Sequence, residues 1–170
     1  MRFRREKDGA LAVLVGENEA KFLRGLAGEL RGHVEKPDFA KRIAQRLFPR
    51  YSDDDKINDE LRQLLFEDQR KQKLERVSAF AAALEKIPVG GGEIKLSEAD
   101  LDLWLALLSD LRLLYAAVIG IENDDWGRDI NPSRPPSREI AVYLHLTDLQ
   151  QTLLDHGFGV GFKRDWSKPR

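Results

Sequence analysis

An arginine in the middle of an apolar run is the residue best placed to do chemistry in this chain. The run "LDLWLALLSDLRLLYAAVIG", residues 101–120, carries Asp110 and Arg112 among leucines. On a helix at 100° per residue, Arg112 falls in line with Leu105, Leu108, Tyr115 and Ile119. An unpaired charge buried there would cost on the order of several kcal/mol, so the guanidinium needs a partner or a wet pocket. Asp110 sits two residues away on the same helix and points elsewhere, so the partner must come from another helix. Asp68 follows Ile57, Leu61 and Leu64 along one line, and Gln150 interrupts the face made by Tyr143, Leu146, Leu149, Leu153 and Leu154. If these faces meet the central helix, Arg112 reaches Asp68, Gln150 and the hydroxyl of Tyr143 or Tyr115 in one internal polar network. Such a network either fixes helix register, the weightier reading, or forms an anion pocket with Arg112 as its fork.

Other chemistry-bearing residues make a poorer case. His145 and His156 are eleven residues apart on one helix, roughly 16 Å along its axis and too far to ligate one metal. His33 falls near a helix end, where a cation complements the dipole. Asp53, Asp54 and Asp55 open a helix but lack calcium-loop spacing, as does "ENDDWGRD" at 122–129. "VGGG" lacks the G-x-x-x-x-G-K of a phosphate loop, and no Ser-His-Asp or Glu-x-x-His arrangement emerges. The reading is noncatalytic, with no cofactor and no metal.

Composition narrows the class. The 170 residues suit one domain that can bury a core without disulfides. Lys+Arg 28 against Asp+Glu 29 leaves a formal net charge of -1, so no global basic field drives nucleic-acid binding. The basic pieces "RFRR", "KRIAQR", "RKQKLER" and "KRDWSKPR" are explained as solvated faces and a tail, and direct DNA contact is not expected. With no cysteine there is no thiolate nucleophile, thiolate zinc site or thiol switch in these residues. "MRFRREKDGA" has no apolar core behind it, and no run reaches the ~18 apolar residues of a spanning helix. A cytoplasmic protein without membrane contact is expected.

The elements that must position these residues are mostly helical. "RFRREKDGALAVLV" reads as a hairpin from Arg2 to Val15 turning at Asp8-Gly9. Glu17 to His33 has Phe22, Leu23, Leu26 and Leu30 at helical spacing. "DFAKRIAQRLF" predicts a second helix capped by Asp38 and stopped at Phe48 by Pro49. "SDDDKINDELRQLLFEDQRKQKLERVSAFAAALEKI" contains no glycine or proline and predicts one long helix, straight or bent once, ending at Pro88. "EIKL" can add a third strand. Ser97 with Asp100 forms a capping box for the central helix, which runs to Ile119 with Gly120 as C-terminal cap. Residues 121–137 read as a polar loop, Ser137 to His156 as the last helix, and residues 157–170 as a glycine-rich basic tail, mobile or weakly paired. The expected fold is a mostly α single domain over 1–156: about five helices with a small hairpin or three-stranded antiparallel sheet.

Three stretches carry a family resemblance: "LFPRYSDDD" (47–55), "GGEIKLSEADLDLWLALLSDLRL" (91–113) and "AVYLHLTDLQQTLL" (141–154). They resemble the AosR-like proteins of actinobacteria, most of them catalogued as a domain of unknown function. The family pattern falls on Pro49, Trp104, Asp110, Arg112, Tyr143 and Gln150. The resemblance implies a cytoplasmic regulator that contacts the transcription machinery, with redox-active cysteines near the N-terminus. This chain departs there, since "MRFRREKDGA" has none, and it carries Ser109 and "YAAVIG" where the family tends to asparagine and Gly-x-Arg-Leu. The leading expectation is a noncatalytic regulatory or interaction protein with a protein partner. The alternative is a small-molecule or anion-binding module, or an enzyme, centred on Arg112. An apolar central helix in a small domain is also compatible with self-association.

Overall fold

The computed structural model describes residues 1–7, 9–123, 126 and 135–158. Asp8 of the hairpin turn, part of the 121–137 loop and the tail from 159 onward lie outside the described residues.

Strands β1 (Arg2–Arg5), β2 (Leu11–Val15) and β3 (Gly92–Leu96) form an antiparallel sheet in the order β1-β2-β3. Val13 pairs with Phe3 on one side and Ile94 on the other. The period-2 alternation puts Leu11, Val13 and Val15 into the core while Leu14 faces out. "EIKL" is thus the third strand.

Helices α1 (Glu17–Glu35), α2 (Arg42–Leu47), α3 (Asp55–Glu85), α4 (Glu98–Ile119) and α5 (Arg138–Phe158) complete the fold among the described residues. Helix α4 is the hub, packed against α5, α2, α3 and α1. Its Leu107, Leu108, Leu111 and Leu114 are fully buried, and Trp104 meets Phe80 edge-on at 4.6 Å between ring centroids. The ends of α4 follow the sequence. Ser97 and Asp100 cap each other's backbone reciprocally, and Gly120 closes the helix at φ 86°, where a Cβ would be strained.

Three expectations need correction. Asp38 does not cap α2: its carboxylate accepts from the Ala40 amide and its carbonyl from Lys41, so a turn occupies 38–41 and the helix begins at Arg42. α1 and α5 each run two residues past their expected ends at His33 and His156, to Glu35 and Phe158. The line of Ile57, Leu61, Leu64 and Asp68 on α3 does not meet the central helix. Its core-facing line is instead Phe66, Lys73, Val77, Phe80 and Leu84, on the opposite side of the cylinder. Among the described residues, no helix is long and apolar enough to cross a membrane.

Candidate functional site

Two polar seams run along α4, one against α5 and one against α3. In the first, Nη1 of Arg112 donates to Oε1 of Gln150 at 2.6 Å, and Nη2 lies 3.5 Å from the Tyr143 hydroxyl. The guanidinium carbon sits 5.6 Å from the centroid of the Tyr143 ring, within cation–π range, and Trp126 meets that ring edge-on at 5.2 Å. Gln150 is fixed from its other end, its Nε2 donating to Ser109 Oγ at 2.7 Å and to the Leu105 carbonyl at 3.4 Å. One side chain of α5 thereby ties together two turns of α4 and its arginine.

The sequence anticipated Gln150 and Tyr143 as companions of Arg112, and the structure places them there. Asp68 is not one of them. It lies exposed on the far face of α3, because the core-facing line of that helix is rotated by half a turn from the one its apolar N-terminal residues suggested. Tyr115 also goes elsewhere: its hydroxyl donates to Oε2 of Glu29 at 2.9 Å. Burial, then the neighbouring Glu29 carboxylate, pushes the Tyr115 phenol up to about 12. Arg112 is therefore held by neutral groups, and its Nε is buried without a hydrogen-bond partner among the described residues.

The second seam belongs to Asp110. Lys73 of α3 approaches its Oδ1 at 2.5 Å, and Arg76 Nη1 stands 3.5 Å from its Oδ2 without hydrogen-bond geometry. The Lys73 and Asp110 side chains are only 12% and 7% exposed, so this is a buried pair. The Lys73 ammonium also lies 5.8 Å from the Phe48 ring centroid. Sequence reasoning gave Asp110 no partner. The signal was present, since Lys73 interrupts the apolar line it shares with Val77, Phe80 and Leu84 just as Arg112 interrupts its own.

Trp104 is a core residue of the α4 face toward α3, away from Arg112 in sequence by two turns. His145 lies 4.0 Å from Glu19, whereas His156 stacks on Phe3 at 5.7 Å. Among the described residues, no group of three or more histidines and acids could hold a metal ion. What the geometry does chemically is hold a cation and a carboxylate in defined places: the Arg112 cation against neutral acceptors and the Tyr143 ring, and the Asp110 carboxylate between two cations.

A family model described as "Domain of unknown function (DUF2017)" matches residues 1–156. A curated protein of Mycobacterium leprae (strain TN), named "Putative oxidative stress regulator AosR", is 29% identical over 164 residues, covering 86% of this chain and 73% of that protein. No solved structure matches the chain.

Proposed function

Because the chain belongs to the family of the domain of unknown function DUF2017, we propose that it is a noncatalytic cytoplasmic regulator that works through contacts with proteins, the transcription machinery among them. The reading is supported by the name of the Mycobacterium leprae relative, "Putative oxidative stress regulator AosR". The observation that carries it is the outer face of α3, where Ile57, Leu64 and Leu65 are exposed. Apolar side chains grouped in this way are typical of a surface that another protein covers. The chain has no cysteine, so a signal does not enter through a thiol of these 170 residues.

The test pairs two measurements in the native host. Transcripts of a strain lacking the gene are compared with the parent before and after an oxidant pulse, and the tagged chain is captured with whatever stays bound. Altered stress transcripts together with recovered RNA polymerase subunits or a sigma factor are the expected result. Unaltered transcripts, or a robust turnover activity that disappears in Arg112→Met, overturn the proposal.

A second reading has one observation in its favour. Arg112 is a cation held by an amide, a phenol and a ring, with a buried Nε left over. Such a fork can accept a carboxylate or phosphate from a small ligand. Titration with inorganic phosphate and with sulfate, followed on the arginine side-chain NMR signals, decides it. Saturable shifts at Arg112 that vanish in Gln150→Leu favour this reading, and flat signals remove it.

A further inference from the structure

Helix α3 is 31 residues long, yet its buried apolar residues, Val77, Phe80 and Leu84, all lie in its C-terminal half. The N-terminal half carries an apolar line of its own, Ile57, Leu61 and Leu64, with Leu65 beside it, and turns that line away from the core. Ile57 is 49% exposed, Leu64 72% and Leu65 40%. From Ile57 to Asp68 the stripe runs roughly 16 Å, three helical turns at 1.5 Å per residue. A stripe of that length on a helix matches the apolar face of another helix laid along it.

The charge around the stripe selects the occupant. Residues 53–68 contain seven acidic side chains against two basic ones, Lys56 and Arg62. Arg62 is turned aside, its guanidinium 4.8 Å over the Phe39 ring. Asp54 is committed to capping the helix, Asp55 to Arg50, and Glu67 to Arg70. Glu60 and Asp68, which lie beside Ile57, Leu61 and Leu64 on the helix, have no ion-pair partner among the described residues, while Asp53 and Asp59 act on Arg50. The stripe is thus rimmed by unsatisfied negative charge. A second copy using the same face would bring acidic rim against acidic rim, which costs free energy at every like-charged contact.

We propose that the N-terminal half of α3 is a docking surface for a cationic amphipathic helix of a protein partner, whose apolar residues seat on Ile57, Leu61 and Leu64 while its lysines and arginines pair with Glu60 and Asp68. The proposal rests on the protein-contact reading above and adds the site and the chemistry of the partner. Apolar anchors supply most of the affinity in such helix-on-helix docking, and the rim charges set the rate of association and its salt dependence.

The experiment places a photo-crosslinking amino acid at position 64 of the full chain in the native host, with position 144 on α5, another exposed leucine, as the control. The crosslinked segment is then sequenced by mass spectrometry. The expected product at position 64 is a segment of another protein with net positive charge and apolar residues at helical spacing. Its yield falls by about tenfold in Glu60→Lys/Asp68→Lys, where only rim charges change, and falls further in Leu61→Gln. A neutral or acidic segment, a second copy of this chain, its own basic residues 163–170, or a yield at 64 no higher than at 144 overturns the proposal. Complementation separates this failure from failure of the functional reading. If deleting the gene leaves stress transcripts unchanged, regulation is wrong whatever the crosslink shows. If deletion alters them and Glu60→Lys/Asp68→Lys restores them as fully as the parent chain, the docking surface alone is wrong.

Discussion

The ammonium of Lys73 lies 2.5 Å from Oδ1 of Asp110, joining the middle of α3 to the middle of α4 by a buried ion pair. Neither charge has much water around it, so removing one leaves the other to bear its desolvation cost. Lys73→Met is expected to lower unfolding free energy by roughly 3 to 5 kcal/mol, with Arg76 recovering a small part from 3.5 Å away. Lys73→Met/Asp110→Leu, which removes both charges and keeps apolar volume, is expected to regain most of that loss. Urea denaturation of the three proteins checks it, and a double variant no more stable than the single one would show that the pair is worth more than its burial costs.

Arg112 and Gln150 form a pair of a different kind. The hydrogen bond is charge-assisted but its acceptor is neutral, so no second charge is orphaned when either is removed. Arg112→Met and Gln150→Leu are each expected to cost roughly 1.5 to 3 kcal/mol, less than breaking the Lys73–Asp110 pair. Because they share one contact, the double variant is expected to lose less than the sum of the two. A denaturant double-mutant cycle measures the coupling. Strict additivity would mean that Arg112 draws its support from Tyr143 instead.

Tyr115 gives the fold a signature in alkali. Its phenol, near 10 in an unfolded chain, is raised to about 12 by burial and by Glu29. A raised acid means the folded state holds its proton more tightly. The contribution is complete below pH 10 and is lost as pH climbs from 10 through 12. Tyr115→Phe is expected to flatten the fall in melting temperature over that window and to remove the late step in phenolate absorbance. An unchanged alkaline profile would place the phenol in water.

Much of this fold can be read from the chain, for reasons that individual residues make plain. The capping box of Ser97 and Asp100 and the cap at Gly120 are local devices, and both ends of α4 stand where they put them. The antiparallel "EIKL" strand follows from alternation alone. Gln150 and Tyr143 could be assigned to Arg112 because each breaks or ends a strong apolar line. Asp68 could not be assigned, because α3 carries two apolar lines on opposite faces and periodicity does not say which one meets the core. The shift of the α2 start has a similar origin: Asp38 satisfies the backbone of a turn as readily as that of a helix, and local sequence does not choose between them.

Glycines 90 and 91 separate conformational strain from crowding. Both have positive φ, 92° and 103°. A Cβ on Gly90 would meet nothing within 4 Å, whereas one on Gly91 would sit 2.8 Å from the Val15 carbonyl oxygen, which belongs to the backbone of β2 and cannot yield without moving the sheet. Gly90→Ala is expected to cost about 1 to 2 kcal/mol from strain alone. Gly91→Ala is expected to cost clearly more and to loosen the β2–β3 pairing, read as faster amide exchange at Val15 and Ile94. Equal losses for the two would mean the loop shifts to make room.

The two faces of α3 make the last prediction, and it bears on everything argued for that helix. Leu64 and Leu84 occupy the same kind of backbone, twenty residues apart, but Leu64 is 72% exposed and Leu84 is fully buried. Truncation removes the same atoms in each case, so the difference in outcome reports packing alone. Leu84→Ala is expected to cost roughly 2 to 5 kcal/mol, as for other buried leucines. Leu64→Ala is expected to stay within about 0.5 kcal/mol of the parent. Chemical denaturation at two protein concentrations checks both values. If Leu64→Ala loses several kcal/mol at all concentrations, the N-terminal half of α3 packs on its own core and is not a free surface. If the loss appears only at high concentration, a second copy covers the stripe. Stability untouched at both leaves Leu64 available to another protein, which is the condition that docking on this face requires.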